Sequence, residues 1–305
     1  MPSWNELVDE IKNQGSTFDI IRRKYIRNLA EVTGRNVIIY YSGWLQKPQM
    51  GALAGINDND KNGFMTAIKG LDRTKGLDLV LHTPGGEAAA TESLVDYLRQ
   101  MFGTDIRAIV PQLAMSAGTM IACACRSIVM GKQSSLGPID PQISGMAAHG
   151  IIEEFNKAFE EIQADPKKIP IWQPIIAKYS PTLIGECQKA LTWANEMVRS
   201  WLLTGMFKDD ANRDPKVDKI LKVLSDHAFT KSHARHLSMQ GCMDIGLIIQ
   251  QMELEQELQD AILSVHHISL LTLTNTPAYK IIENQEGKAF IQTATFEIVQ
   301  GPPPR

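Results

Sequence analysis

The sequence predicts an α/β protein built on a mostly parallel sheet flanked by helices, preceded by N-terminal helices and followed by a C-terminal helix and a β-hairpin arm. Three observations predict it. Apolar runs of strand character alternate with helical periodicity between Asn36 and Met130, the order that right-handed crossovers turn into a parallel sheet. Composition is that of an ordinary globular chain, 44% apolar and 21% charged with 22 glycines and 15 prolines, which excludes collagen, coiled coil and wholesale disorder. The 305 residues suffice to bury a substantial core, as one large domain with appendages or as two ordinary domains.

Residues 4–32 carry helical periodicity, with Ile20, Ile21, Tyr25 and Leu29 on one side and Arg22, Arg23 and Arg27 outside. A strand follows at Asn36–Tyr41, and then a helix from Gly63 to Leu71 preceded by capping Asp and Asn residues. Leu77–His82 is a second strand, ended by Thr83-Pro84-Gly85-Gly86, and Glu87–Phe102 is an amphipathic helix with Leu94, Leu98 and Met101 along one face. Ile106–Pro111 is a third strand, Ala117–Cys125 a helix and Ser127–Met130 a fourth strand. Beyond Gln133 the run SSLGPIDPQISG reads as loop; helices are expected at Glu153–Ile162, Leu183–Met206 and Val217–Leu224. Cys242–Leu247 reads as a helix end leading into a strand, with helix again from Gln250 to Val265. Tyr279–Glu283 and Ala289–Thr293, joined through Gly287, read as a hairpin, and only the tail 301–305 is expected to be disordered.

Charge bounds the partners. With 31 basic and 34 acidic residues the net charge is −3, so no strong basic field exists to condense on nucleic acid or anionic lipid. The four cysteines and a charged start without an apolar leader point to a reducing, cytoplasmic setting with buried thiols rather than disulfides. Ala108–Cys125 carries no formal charge and imitates a membrane span, but it is rich in small residues and interrupted by Pro111, Gln112, Ser116 and Gly118, which fits a buried strand, turn and helix better.

The chemistry concentrates at two strand ends. Gly85-Gly86 lies just past the second strand and Ala114-Met115-Ser116-Ala117-Gly118 just past the third, so both fall at the carboxyl edge of the sheet, where open α/β folds bind ligands. A serine opening a helix sits near the positive end of the helix dipole and its unpaired first-turn amides. Paired glycines let a neighbouring backbone present amides without Cβ obstruction, and together these features predict an oxyanion hole.

The segments LVLHTPGGEAAATESL (79–94), AIVPQLAMSAGTMIA (108–122) and SSLGPIDPQISG (134–145) resemble the Clp protease and crotonase superfold, and within it the signal peptide peptidase A type of serine peptidase, most closely the serine dehydrogenase proteinase family. A weaker likeness covers Lys178–Thr182 with the helix after it, and Arg235–Leu247. The resemblance implies a serine endopeptidase with Ser116 as nucleophile and amides of Gly86 and Ala117, beside Gly85, stabilising the oxyanion. It also implies a polypeptide substrate, no cofactor, a homo-oligomer, and a membrane-protein or ATPase partner as an open question. On this reading 1–35 is an N-terminal helical segment, 36–250 the Clp/crotonase-like catalytic domain, and 251–305 a helix and hairpin arm for oligomerisation.

Ser116 needs a base, because a free hydroxyl is a poor nucleophile at neutral pH. Signal peptide peptidase relatives use a downstream lysine; Lys178 is the first choice, Lys157 the second and Lys168 the third. A lysine base must lose its proton near pH 7 against a reference of about 10.4. The apolar neighbours of Lys178 suit that demand, whereas Lys157 sits among Glu153, Glu154, Glu160 and Glu161. The Clp branch uses histidine instead; His149 with Asp140 as acid is the candidate, ranked below lysine.

Plainer readings stand beside these. Ser116 could merely cap its helix, and Lys178 could be a solvated charge. His82 is expected to be structural, with orienting the glycine loop as the alternative, and His233, His236, His266 and His267 make no convincing metal site. Asp58, Asp60, Asn62 and Gly63 imitate an EF-hand loop, but Lys69 occupies the position that requires a bidentate glutamate, so the segment reads as turn and cap chemistry. Two rival functions use the same fold: a crotonase-like hydratase or hydrolase of acyl thioesters, and a catalytically silent scaffold.

Overall fold

The computed structural model describes residues 4–14, 17–143, 145–225 and 235–294. The N-terminal periodicity, continuous in sequence, is divided into helices α1 (Trp4–Gln14) and α2 (Phe18–Thr33), the second closed by Gly34 in the left-handed region. Within α2 the expected facing is off by one position. Ile20 is exposed, while Arg22 is fully buried, because Glu283 (2.6 Å), Asp19 (2.8 Å) and the Thr272 hydroxyl (3.2 Å) receive its guanidinium. A buried arginine needs such partners, and apolar patterning alone cannot foresee them.

The main sheet has seven strands. β1 (Asn36–Ser42), β2 (Leu77–His82), β3 (Ile106–Val110), β5 (Ser127–Met130) and β10 (Ile249–Gln251) are parallel, in the order β10-β5-β3-β2-β1. The C-terminal hairpin, β11 (Ala278–Asn284) and β12 (Ala289–Thr293), continues the sheet antiparallel beyond β1, with Ser42 opposite Lys280 and Ile38 opposite Asn284. The arm read from sequence is thus, within one chain, the edge of the main sheet. A smaller sheet joins β4 (Leu113–Ala114), β6 (Ser135–Leu136) and β9 (Leu237–Ser238), and β7 (Gln142–Ile143) pairs with β8 (Met146–Ala147).

β1 and β2 are buried at every position, as strands covered on both faces must be. On one face Leu77, Leu79 and Leu81 pack with α3 (Asp60–Ile68), α4 (Ala88–Phe102), α5 (Ala117–Ala124), the second half of α8 (Leu183–Thr204) and α9 (Arg213–Ser225). On the other, Val37, Ile39, Val80 and Ile109 meet α2 and the C-terminal helix Gln256–Asn275. That last helix begins later than expected and runs further, since Ile249–Gln251 is spent on the edge strand β10.

A helical lobe with its own small core stands beside the sheet. Ala148 and Ile151 of α6 (Ala148–Ala164) pack against Leu183, Cys187 and Leu191 at the start of α8. Between them α7 (Ile169–Ile176) forms despite two prolines: Pro170 occupies a first-turn position where its missing N–H costs nothing, and Pro174 falls in the last turn of this eight-residue helix. Among the described residues no helix is long and apolar enough to cross a membrane. Ala108–Cys125 resolves into the end of β3, a turn with β4, and α5. All four cysteines are buried and free, and burial pushes the thiols of Cys125 and Cys242 up to about 12.

Candidate active site

Ser116 is the N-cap of α5, at φ 50° and ψ −115°. Among the described residues it is the only non-glycine with positive φ. Backbone held in that region costs about 1–3 kcal/mol and survives only where its surroundings enforce it. They do so here. Met115 N donates to Thr83 O at 3.0 Å and Thr83 N to Leu113 O at 3.1 Å, so the two strand-end loops form one parallel bridge. The Thr119 hydroxyl reaches back to Ala114 O at 2.8 Å and accepts from Gly137 N at 2.9 Å, locking the start of α5.

The glycine loop closes against this elbow. Gly85 adopts φ 104°, and its N–H donates to the Thr83 hydroxyl at 3.2 Å. Gly86 lies alongside Ile56: Ile56 N donates to Gly85 O at 2.8 Å and Glu87 N to Ile56 O at 2.9 Å. The approach is so close that a Cβ on Gly86 would collide with the Ile56 main chain. Among the described residues neither Gly86 N nor Ala117 N donates to a main-chain oxygen, and Ala117 is a first-turn amide with no carbonyl four residues back in its helix. Both amides therefore remain available for an oxygen beside Ser116.

Ser116, Gly85, Gly86 and Ala117 line one cleft of about 450 Å³. Its walls come from the Gly51–Ile56 segment, Pro84–Ala88, Met120, the loop carrying Ile139, Pro141, Gln142 and Gly145, and Ala194 of α8. Small and apolar residues dominate, and among the described lining residues Glu87 alone carries a formal charge.

The four candidate bases lie elsewhere. Lys178 is exposed just beyond α7. Lys157 is exposed on α6, near Glu154 (3.9 Å) and the face of Trp172 (5.9 Å). Lys168 pairs with Glu161 at 3.3 Å, and His149 is half-buried in the first turn of α6. None lines the cleft. Asp140 is buried between the lining residues Ile139 and Pro141, close enough to Cys187 of α8 for its charge to help raise that thiol.

Two further residues singled out in the sequence take structural roles. His82 is fully buried at the end of β2, 4.5 Å from Trp44 and 5.3 Å from His266 between ring centroids, with neither ring nitrogen hydrogen-bonded. It packs rather than orienting the glycine loop through a hydrogen bond, and burial holds its pKa well below the usual range. Asp60, the third residue of the calcium-loop imitation, is taken up by the Lys280 ammonium (2.8 Å) and the Tyr40 hydroxyl (2.8 Å). His233 and the tail 301–305 lie outside the described residues.

A strained serine opening a helix beside a glycine loop, both lining one cleft at the carboxyl edge of a parallel sheet, fits a protein of the Clp-like serine proteinase class. The comparison with known families agrees: residues 9–260 match the ClpP-like SDH-type serine proteinases, and the chain belongs to that family. It is 29% identical over 192 residues to the uncharacterized protein MJ0137 of Methanocaldococcus jannaschii, covering 63% of this chain and 59% of that protein. It is 28% identical to MJ1495 of the same organism, over 63% of this chain and 58% of that protein. The chain thus spans less than two thirds of the length of these relatives.

Proposed function

We propose that the protein hydrolyses peptide bonds through an acyl-enzyme on Ser116. The observation that supports the reading is the strained Ser116 elbow sharing one cleft with Gly86 and Ala117, whose N–H groups donate to no main-chain oxygen among the described residues. The Ser116 Oγ attacks the scissile carbonyl carbon, the oxygen takes the electron pair, and the two N–H groups stabilise that charge as it develops. A base takes the hydroxyl proton and returns it to the leaving amine; water then hydrolyses the ester.

Lys178 is the proposed base, in a Ser-Lys dyad, on the strength of its place in a stretch that follows the family pattern. Lys178 stands exposed beyond α7, so its replacement is the direct test of the dyad. The reading extends to an endopeptidase acting on polypeptides as a homo-oligomer; four buried free thiols support a reducing compartment. The experiment is hydrolysis of an unstructured protein such as casein by wild type and by Ser116→Ala, Lys178→Ala, Lys157→Ala, Lys168→Ala and His149→Ala. Loss in Ser116→Ala and in one base variant alone supports the dyad; undiminished hydrolysis in Ser116→Ala overturns the mechanism.

One observation favours a second reading. Glu87 is an acidic residue lining the cleft, the residue type that acyl-thioester chemistry of the crotonase kind requires. Thioester turnover that survives Ser116→Ala and fails in Glu87→Gln would select it.

A further inference from the structure

We propose that Lys280, a buried lysine on the C-terminal hairpin, is a positioning residue for the oxyanion loop: it grips the strand against which Gly86 presents its amide. The inference rests on the peptidase reading of Ser116 and extends the functional site beyond the family-matched region, residues 9–260.

Lys280 is fully buried on β11. Its ammonium donates to Gly55 O at 2.7 Å and to the Asp60 carboxylate at 2.8 and 3.1 Å. Asp60 in turn accepts from Asn57 N at 3.1 Å and from the Tyr40 hydroxyl at 2.8 Å. The residues on both sides of Ile56 are therefore held by one ion pair, directly at Gly55 and through Asp60 at Asn57. Ser42, opposite Lys280 on β1, adds a third hold by donating to Ala54 O at 2.5 Å. Ile56 is the residue whose N–H and C=O bracket Gly86.

Burial works against the charged ammonium while Asp60 supports it. A well-packed apolar pair could serve stability as well as a buried ion pair does. What Lys280 and Asp60 supply in addition is two directional grips on main chain, and an oxyanion donor tolerates little displacement. The plain alternative is that Lys280 only neutralises Asp60.

The test uses the full-length chain with Lys280→Met/Asp60→Asn, which removes both charges together and so avoids stranding either one. Two readouts apply: the rate of Ser116 labelling by a fluorophosphonate, and kcat and KM for a p-nitrophenyl ester of a short N-acylated peptide. The expected result is a fall of about tenfold or more in labelling rate and in kcat, with KM within about twofold, in a folded protein. A folded double variant with wild-type labelling and kcat overturns the proposal, as does a change confined to KM. If the double variant does not fold, Asp60→Asn alone carries the test, with a fall of about threefold or more expected and no fall overturning it. Wild type that is not labelled at Ser116 overturns the peptidase reading itself, and this inference with it.

Discussion

A methyl group on Gly85 would lie 2.6 Å from the Cβ of Ser116. The glycine is there because the serine is there: the two strand-end loops approach until only hydrogen fits between them. Gly85→Ala must push the loops apart or unseat the elbow, and Gly85 also sits at φ 104°, a region that alanine resists. We expect both lower stability and loss of Ser116 labelling, read by thermal unfolding and by mass of the labelled protein.

The Ser116 elbow stores strain that glycine would not feel. Ser116→Gly should therefore gain about 1 kcal/mol of stability while abolishing covalent labelling. Urea unfolding of the two proteins checks it. A less stable Ser116→Gly would show that the φ of 50° is not strained in this setting.

Gly86 tests the oxyanion hole from the other side. A Cβ there collides with Ile56, so Gly86→Ala has to move the amide that faces the cleft. Loss of one such donor costs about 10²–10³ in kcat, and a loss of that order is expected together with a fall in thermal midpoint at least as large as in Gly85→Ala, because the added Cβ would lie 2.2 Å from Ile56 main-chain atoms. Equal activity in Gly86→Ala and wild type would remove Gly86 from the mechanism.

Buried carboxylates at the far end of the sheet answer to stability alone. Asp78 on β2 is fully buried between Arg35 (2.8 Å) and Arg107 (2.6 Å). Removing it takes the carboxylate from both guanidiniums, leaving Arg35 with Asp105 (3.0 Å) and Arg107 with Gln250 (2.9 Å), so Asp78→Ala should cost about 2–3 kcal/mol. Chemical denaturation measures that cost, and Ser116 labelling of the folded fraction should be unchanged.

Acid should weaken the fold through two histidines. Burial holds His266 down to about 3 and His82 well below the ordinary value of 6.5. Both are neutral in the folded chain and protonate in the unfolded one below about 6.5, so the unfolded state binds the extra protons as pH falls. Their contribution is intact above about 6.5 and declines by about 1.4 kcal/mol per pH unit for each group as pH drops toward the folded value. His82→Leu should flatten the decline between pH 6.5 and 5 by about that amount. An unchanged slope in urea titrations would contradict the assignment.

Much of this was legible in local sequence. Strand-like runs ending in Gly85-Gly86 and in Ser116-Ala117-Gly118 locate the elbow and its facing amides, because both depend on residues within one turn of the chain. The hairpin was legible for the same reason, with Gly287 at φ 81° in its turn. The Lys280–Asp60 pair was not, since its partners are 220 residues apart and only the sheet order brings β11 beside β1. A cation inside the buried stretch Lys280–Glu283 was the one available signal. Helix α7 was hidden because Pro170 and Pro174 interrupt it, and Arg22 by a partner, Glu283, from the opposite end of the chain. The base is the remaining gap: an exposed lysine looks the same in sequence whether or not it reaches a cleft.

The central claim is that the Ser116 hydroxyl is an activated nucleophile facing two free amides. The most direct measurement is intact mass of the protein after exposure to a fluorophosphonate, comparing wild type with Ser116→Ala. One stoichiometric adduct mapped to Ser116, and none in the variant, is the result this account predicts; an unmodified wild type, or labelling that persists without the serine, would contradict it.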